Sequence, residues 1–227
     1  MKERGMIFNG EMVRAILEGR KTQTRRPIKW KQTRFTEMGE REDGSKWPWS
    51  EDADSVRDYW HPCPFGAVGD RIWVRETWAT LGNEDGCCVD WNDNLCKGDE
   101  KSAARIYRAS CEQKPGDYGL WSIPDDADWK PHTENEKFEG AWRPSIHMPR
   151  WASRITLEIT DVRVERLNDI SECDAKAEGA PTECTLIGDK HYPGFRSLWK
   201  SIYGNDSWQA SPWVWVIEFK RIQEAAQ

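Results

Sequence analysis

The stretch "GRKTQTRRP", residues 19 to 27, decides how this chain is read. It gathers one lysine, three arginines and two threonines between a helical pattern and a proline. Upstream, "FNGEMVRAILEGRK" predicts a helix. Asn9 is its N-cap, Met12 and Ile16 form an apolar stripe flanked by Val13 and Leu17, and Gly19 is the C′ stop. Downstream, "TQTRRPI" predicts a short strand that Pro27 ends or confines to a sheet edge. A solvated turn needs fewer donors than this, so the junction is a candidate lining for an anionic or polar ligand.

The rest of the chain sets the context. Of 227 residues, 15 are Trp, and each indole N–H wants a partner when its ring is buried. The formal charge is −6, yet residues 1 to 36 carry ten Lys/Arg against three Asp/Glu, a net of +7 that leaves −13 for the remainder. An acidic protein with a basic pole can hold a phosphate or nucleic acid locally. It is poorly suited to strong nonspecific duplex binding, which needs many phosphate contacts. No apolar run is long enough to span a membrane, and "MKERGMIFNG" has no apolar h-region, so no membrane partner and no signal peptide are expected. Seven irregularly spaced cysteines predict free thiols in a reducing, cytoplasmic setting.

Residues 37 to 63 and 81 to 141 are polar, lack a sustained period and read as two long insertions; the second holds one strand candidate, "ARIYRA" at 104 to 109. Between them "GDRIWVRETW" predicts a turn and a strand from Arg71 to about Trp78. Arg75 and Glu76 would then face opposite sides. "WRPSIHMPRWASR" reads as a loop with a short helix, and "ITLEITDVRVERL" as a strand. "ISECDAKAEGA" is a helix with Ser171 and Asp174 as its start and Gly179 as its stop; "PGFRSLWKSIYG" is another, ending at Gly204. "PWVWVIEFKRI" is the clearest strand, with Val214, Val216 and Glu218 on one face. Few helices among separated strands predict an α+β fold built on a small mixed β-barrel.

Lys21 and Thr24 converge if Lys21 sits in the turn rather than the strand. A neutral amine can then take the threonine proton, provided burial lowers its pKa by about 3 units. Arg25 and Arg26 help, because like charge disfavours the ammonium. The same spacing also fits two ordinary surface residues.

On these residues the sequence resembles the ASCH-domain family. Its signature G-x-K-x-x-E-x-R is matched at Gly19, Lys21 and Arg26, with Thr24 where the general signature has Glu. Threonine at that point is similar to the small bacterial N4-acetylcytidine amidohydrolases. The resemblance implies a PUA-like barrel, an association with RNA and a catalytic set of Lys21, Thr24 and a later Glu. That Glu lies in the helix after a long strand, which places it at Glu178. Gly69-Asp70 and "VWVIEFKRI" also fit the family. As a whole the chain looks like a longer phage or prophage form, a single domain over 1 to 227, residing in the host cytoplasm if phage-encoded. The resemblance covers roughly residues 5 to 36, 64 to 80 and 142 to 222.

The expected activity is deacylation of N4-acylated cytidine without cofactor or metal, on a nucleoside or RNA. Arg26 or Arg75 would stabilise the oxyanion. Trp78 or Trp151 would stack on the base, or pack in the core. Glu76, His147 and Arg150 complete the candidate substrate contacts, with Arg150 and Arg154 on one face of a helical turn gripping phosphate. Two alternatives stay open: a non-catalytic reader of RNA or modified bases, and a ribonuclease centred on His147. His61, Cys63, Cys87, Cys88, Cys96 and Cys111 lack the paired spacing of a zinc site, so free thiols are the expectation.

Overall fold

The computed structural model describes residues 1–30, 36–52, 57–83, 87–92, 94–111, 141–186 and 188–222. In chain order the elements are β1 (Glu3–Ile7), α1 (Gly10–Leu17), β2 (Gln23–Pro27), β3 (Thr36–Glu40), β4 (Lys46–Asp52), β5 (Arg57–Trp60), β6 (Arg71–Arg75), β7 (Trp78–Thr80) and β8 (Arg105–Tyr107). They continue with α2 (Arg108–Cys111), β9 (Thr156–Arg166), α3 (Glu172–Ala177), β10 (Glu183–Thr185), β11 (Gly188–Lys190), α4 (His191–Tyr203), α5 (Asn205–Ala210) and β12 (Trp213–Ile222).

The fold is α+β. Its main sheet has the order β1-β6-β9-β12-β2. The expected barrel is not closed among the described residues: this sheet is open, ending at β1 and β2. Pro27 ends β2 as its sequence suggests, and β2 is an edge strand, where a missing N–H costs least. The chain partitions into two compact units. One comprises Met1–Arg4, Ala15–Ile72 and Leu157–Gln227; the other comprises Gly5–Arg14 and Trp73–Thr156.

In the first unit β12 is buried on both faces from Val214 to Ile217, which is why its sequence is a near-continuous apolar run. It pairs antiparallel with β2, Trp215 opposite Arg26 and Ile217 opposite Thr24. The core packs Leu167, Ile170, Phe195, Trp199 and Trp208 against Val214 and Val216. α3 has the expected capping box: Ser171 accepts from the Asp174 N–H at 3.0 Å while Asp174 accepts from the Ser171 N–H.

Residues 37 to 63 are not a plain loop. β3, β4 and β5 form an antiparallel sheet with Trp49 opposite Trp60. The Arg41 guanidinium sits 3.8 Å from the Trp47 ring centroid, and Trp47 meets Trp215 edge-on at 4.9 Å. Gly39 is required here, because a Cβ would stand 2.9 Å from the Trp60 ring. Pro48 within β4 and acidic residues along the strands hide the alternation from a sequence reading.

Cys63, also in this unit, is 8% exposed. Burial pushes its thiol from the ordinary 9.0 up to about 11. The unfolded chain would lose this proton near 9.0 while the fold holds it until about 11. Stability should therefore fall as pH climbs across that window. Urea midpoints at stepped alkaline pH should show the fall, with a shallower slope in Cys63→Ala; an unchanged slope would refute it.

In the second unit the predicted strand through Trp78 breaks after Arg75, and β7 resumes at Trp78 to pair with β8. Trp78 and Trp151 meet edge-on at 5.5 Å in a cluster with Tyr107, Met148 and Ala152. β8 lies inside the 104 to 109 candidate, and α2 follows it directly. The short helix expected in 142 to 154 is two 3-10 turns, Ser145–His147 and Arg150–Ala152, each following a proline. Residues 112 to 140 of the second insertion lie outside the described residues.

Candidate functional site: a buried Lys–Glu pair on the first unit

Gly19 adopts φ +74° and turns the chain out of α1. Lys21 then donates its backbone N–H to Ala15 O at 2.9 Å and forms an isolated antiparallel bridge with Glu178. Lys21 thus precedes β2, as the turn reading supposed. Gly179 permits this close approach: at φ +70°, a Cβ there would lie 2.8 Å from both Lys21 Cβ and Ala15 Cβ.

The Lys21 Nζ donates to Glu178 Oε2 at 2.8 Å and to Glu178 O at 2.8 Å. Arg25 joins them, 3.3 Å from Glu178 Oε1 and 2.8 Å from Glu165 Oε2, with Asp174 Oδ2 at 3.6 Å. Gln23 Nε2 donates to Asp174 Oδ1 at 3.2 Å. Lys21, Gln23 and Arg25 are spaced by two and all reach the carboxylates of α3 and its C-cap. Strand alternation puts Gln23 and Arg25 on one face of β2, while Lys21 lies before the strand, where that parity does not apply.

Burial lowers the Lys21 pKa from its ordinary 10.5, and Arg26 and Arg25 push in the same direction; Glu178 opposes them. The site so holds a desolvated amine against a carboxylate, an arrangement able to pass a proton. Thr24 is buried as well, at 2% exposure, opposite Ile217. No hydrogen bond joins its hydroxyl to Lys21 or Glu178 among the described residues. Arg26 is half-buried opposite Trp215.

The second unit holds the other candidates. Glu76 is 1% exposed and accepts a bidentate pair from Arg154, at 2.9 and 3.0 Å. Arg154 also donates to Ser110 Oγ at 2.9 Å and lies 4.1 Å from the Tyr107 ring centroid. Arg150 instead donates to Thr156 Oγ1 at 3.2 Å. The 3-10 turn ends at Ala152, so the expected shared helical face of Arg150 and Arg154 does not form. Arg75 donates to the Ser145 and Ile146 carbonyls, and His147 is exposed. A cavity of about 400 Å³ in this unit is lined by Asn9, Glu76, Thr77, Arg108 and Ser145 among others.

Sequence reading missed the partners of Arg25 and Arg154. The even spacing of Lys21, Gln23 and Arg25 was a usable signal for the first; no local pattern marks the second, since Glu76 and Arg154 are far apart in the chain. Among the described residues, no group of three or more His, Cys, Asp or Glu is placed to hold a metal. No helix of the described residues is long and apolar enough to cross a membrane. No protein-family model, curated protein or solved structure matches the chain.

Proposed function

We propose that this chain is an ASCH-type, PUA-like enzyme that deacylates N4-acylated cytidine, in a free nucleoside or in RNA. The observation supporting this reading is the buried amine of Lys21, held below its ordinary pKa against Glu178. Water-excluded, neutral amines are competent general bases near neutral pH.

In this mechanism neutral Lys21 takes a proton from the Thr24 hydroxyl or from a water that it holds. The oxygen adds to the acyl carbon, giving a tetrahedral oxyanion stabilised by Arg26. Collapse breaks the bond from the acyl carbon to N4, and the proton on Lys21 passes to the leaving amine, with Glu178 orienting the ammonium. Attack by water releases the carboxylic acid directly, whereas attack by Thr24 leaves an acyl ester on its oxygen, which a water deprotonated by Lys21 then hydrolyses to the free acid and the restored hydroxyl. The Lys21 side chain must turn from the Glu178 carbonyl towards Thr24 when substrate binds; catalytic hydrogen bonds commonly tighten only in the complex.

The test is incubation with N4-acetylcytidine and measurement of cytidine release. Turnover is expected, falling by roughly 100-fold or more in Lys21→Met and Thr24→Val, the range for loss of a general base. Because neutral Lys21 is the active form, kcat/KM should rise with pH and level off below 10.5. No cytidine release by the unaltered chain would overturn the reading.

A reader is the second reading, favoured by the absence of a Thr24–Lys21 hydrogen bond. It expects tight N4-acetylcytidine binding without cleavage. RNA degradation that survives Lys21→Met and disappears in His147→Ala would instead indicate a nuclease.

A further inference from the structure

Two of the free cysteines face each other across a hairpin in the second unit. Val89 bridges Leu95 in antiparallel register, and the Cys96 N–H donates to Cys88 O at 2.9 Å while the Asp90 N–H donates to Asn94 O at 3.0 Å. These bonds flank the 89–95 pair on both sides, which places Cys88 and Cys96 opposite each other, joined by the Cys96 N–H bond to Cys88 O. Such pairs have Cα atoms about 5.5 Å apart with both side chains on the same face. That separation falls inside the range of about 4.4–6.8 Å that a disulfide spans.

The surroundings leave this pair accessible and its competitors placed elsewhere. Cys88 and Cys96 are half-buried, whereas Cys63 and Cys111 are buried with thiols pushed up to about 11. Cys87 is exposed, but as the neighbour of Cys88 it points to the opposite face of the strand. Cys88 Sγ contacts Thr80 Oγ1 at 3.7 Å, and Cys96 Sγ contacts Asn94 O at 3.8 Å. The Asp90 carboxylate accepts from the Asn92 and Asn94 N–H groups, so Asp90 and Asn94 are held together before any cross-link forms. Burial, then Asp90, then Cys88, raises the Cys96 pKa, consistent with two neighbouring thiols.

We propose that Cys88 and Cys96 are a reversible thiol-oxidation site, cross-linked by exchange with a small-molecule disulfide. One cysteine thiolate attacks a sulfur of that disulfide, its S–S bond breaks, and one small thiol leaves. The other cysteine then attacks the mixed disulfide, forming the Cys88–Cys96 bond and releasing the second small thiol. Two cysteine protons end on the two released thiols, and the small disulfide is the oxidant. Excess small thiol reverses the same two exchanges and restores both cysteines.

The test uses the full chain, reduced and then equilibrated with oxidised and reduced glutathione at graded ratios. Free thiols are trapped by alkylation and the peptides mapped by mass. A Cys88–Cys96 linkage is expected, reversed by excess reduced glutathione and unaffected by Cys87→Ser. Cys96→Ser should leave a glutathione adduct on Cys88 in place of the linkage. Glutathione adducts on Cys88 and Cys96 without a cross-link, a linkage through Cys87, or no modification at either residue would each overturn the proposal.

Discussion

Glu178→Ala should lower the free energy of unfolding by about 3–5 kcal/mol, the cost of removing one partner from a buried ion pair. The Lys21 and Arg25 side chains are both fully inaccessible, and Glu178 contacts both of them. Without it, Lys21 Nζ keeps only the residue 178 carbonyl, and Arg25 keeps Glu165 and Asp174. Urea unfolding followed by tryptophan fluorescence measures the loss. Glu178→Gln should fall between the two, because an amide keeps the shape and an acceptor but not the charge. The double change Lys21→Met with Glu178→Leu should recover much of the loss, since apolar groups of similar volume often replace a buried pair at little cost. A loss under about 1 kcal/mol in Glu178→Ala would mean that the amine finds water when its partner goes, and that the site is not secluded.

Gly194→Ala should be destabilising, against the usual sign for that change in a helix. Alanine normally gains up to about 1 kcal/mol over glycine in a helix interior. At Gly194, within α4, a Cβ would lie 1.9 Å from Pro181 O and 2.9 Å from Pro181 C. Both atoms are backbone, so no side-chain rotation relieves the contact; α4 and the segment at Pro181 must separate. Overpacking of this kind costs about 1–3 kcal/mol, and more where backbone must move. Gly10→Ala in α1 is the matched control, because its Cβ meets nothing closer than 3.6 Å. Thermal midpoints should fall in the first variant and hold or rise in the second. A Gly194→Ala midpoint at or above the parent's would show that α4 shifts freely.

The elements legible from sequence are those whose signals are local. α1 has its cap, stripe and glycine stop within a dozen residues, α3 carries its capping box, and β12 is a long apolar run. The sheet in residues 37 to 63 was not legible, because its stability comes from tryptophans paired across strands and a guanidinium stacked on them, with Pro48 breaking the pattern. The break in the strand after Arg75 was equally hidden; the buried Glu76 turns inward to Arg154, a partner 78 residues away.

For the candidate site, the chain alone determined which chemistry was available: a lysine after a glycine stop, a hydroxyl three places on and a cluster of arginines, all set by short-range spacing. Which carboxylates meet that lysine, and how far its pKa falls, depended on α3 and β9 arriving beside β2 from more than a hundred residues further along. Desolvation and long-range pairing are properties of packing, and no window of sequence contains them.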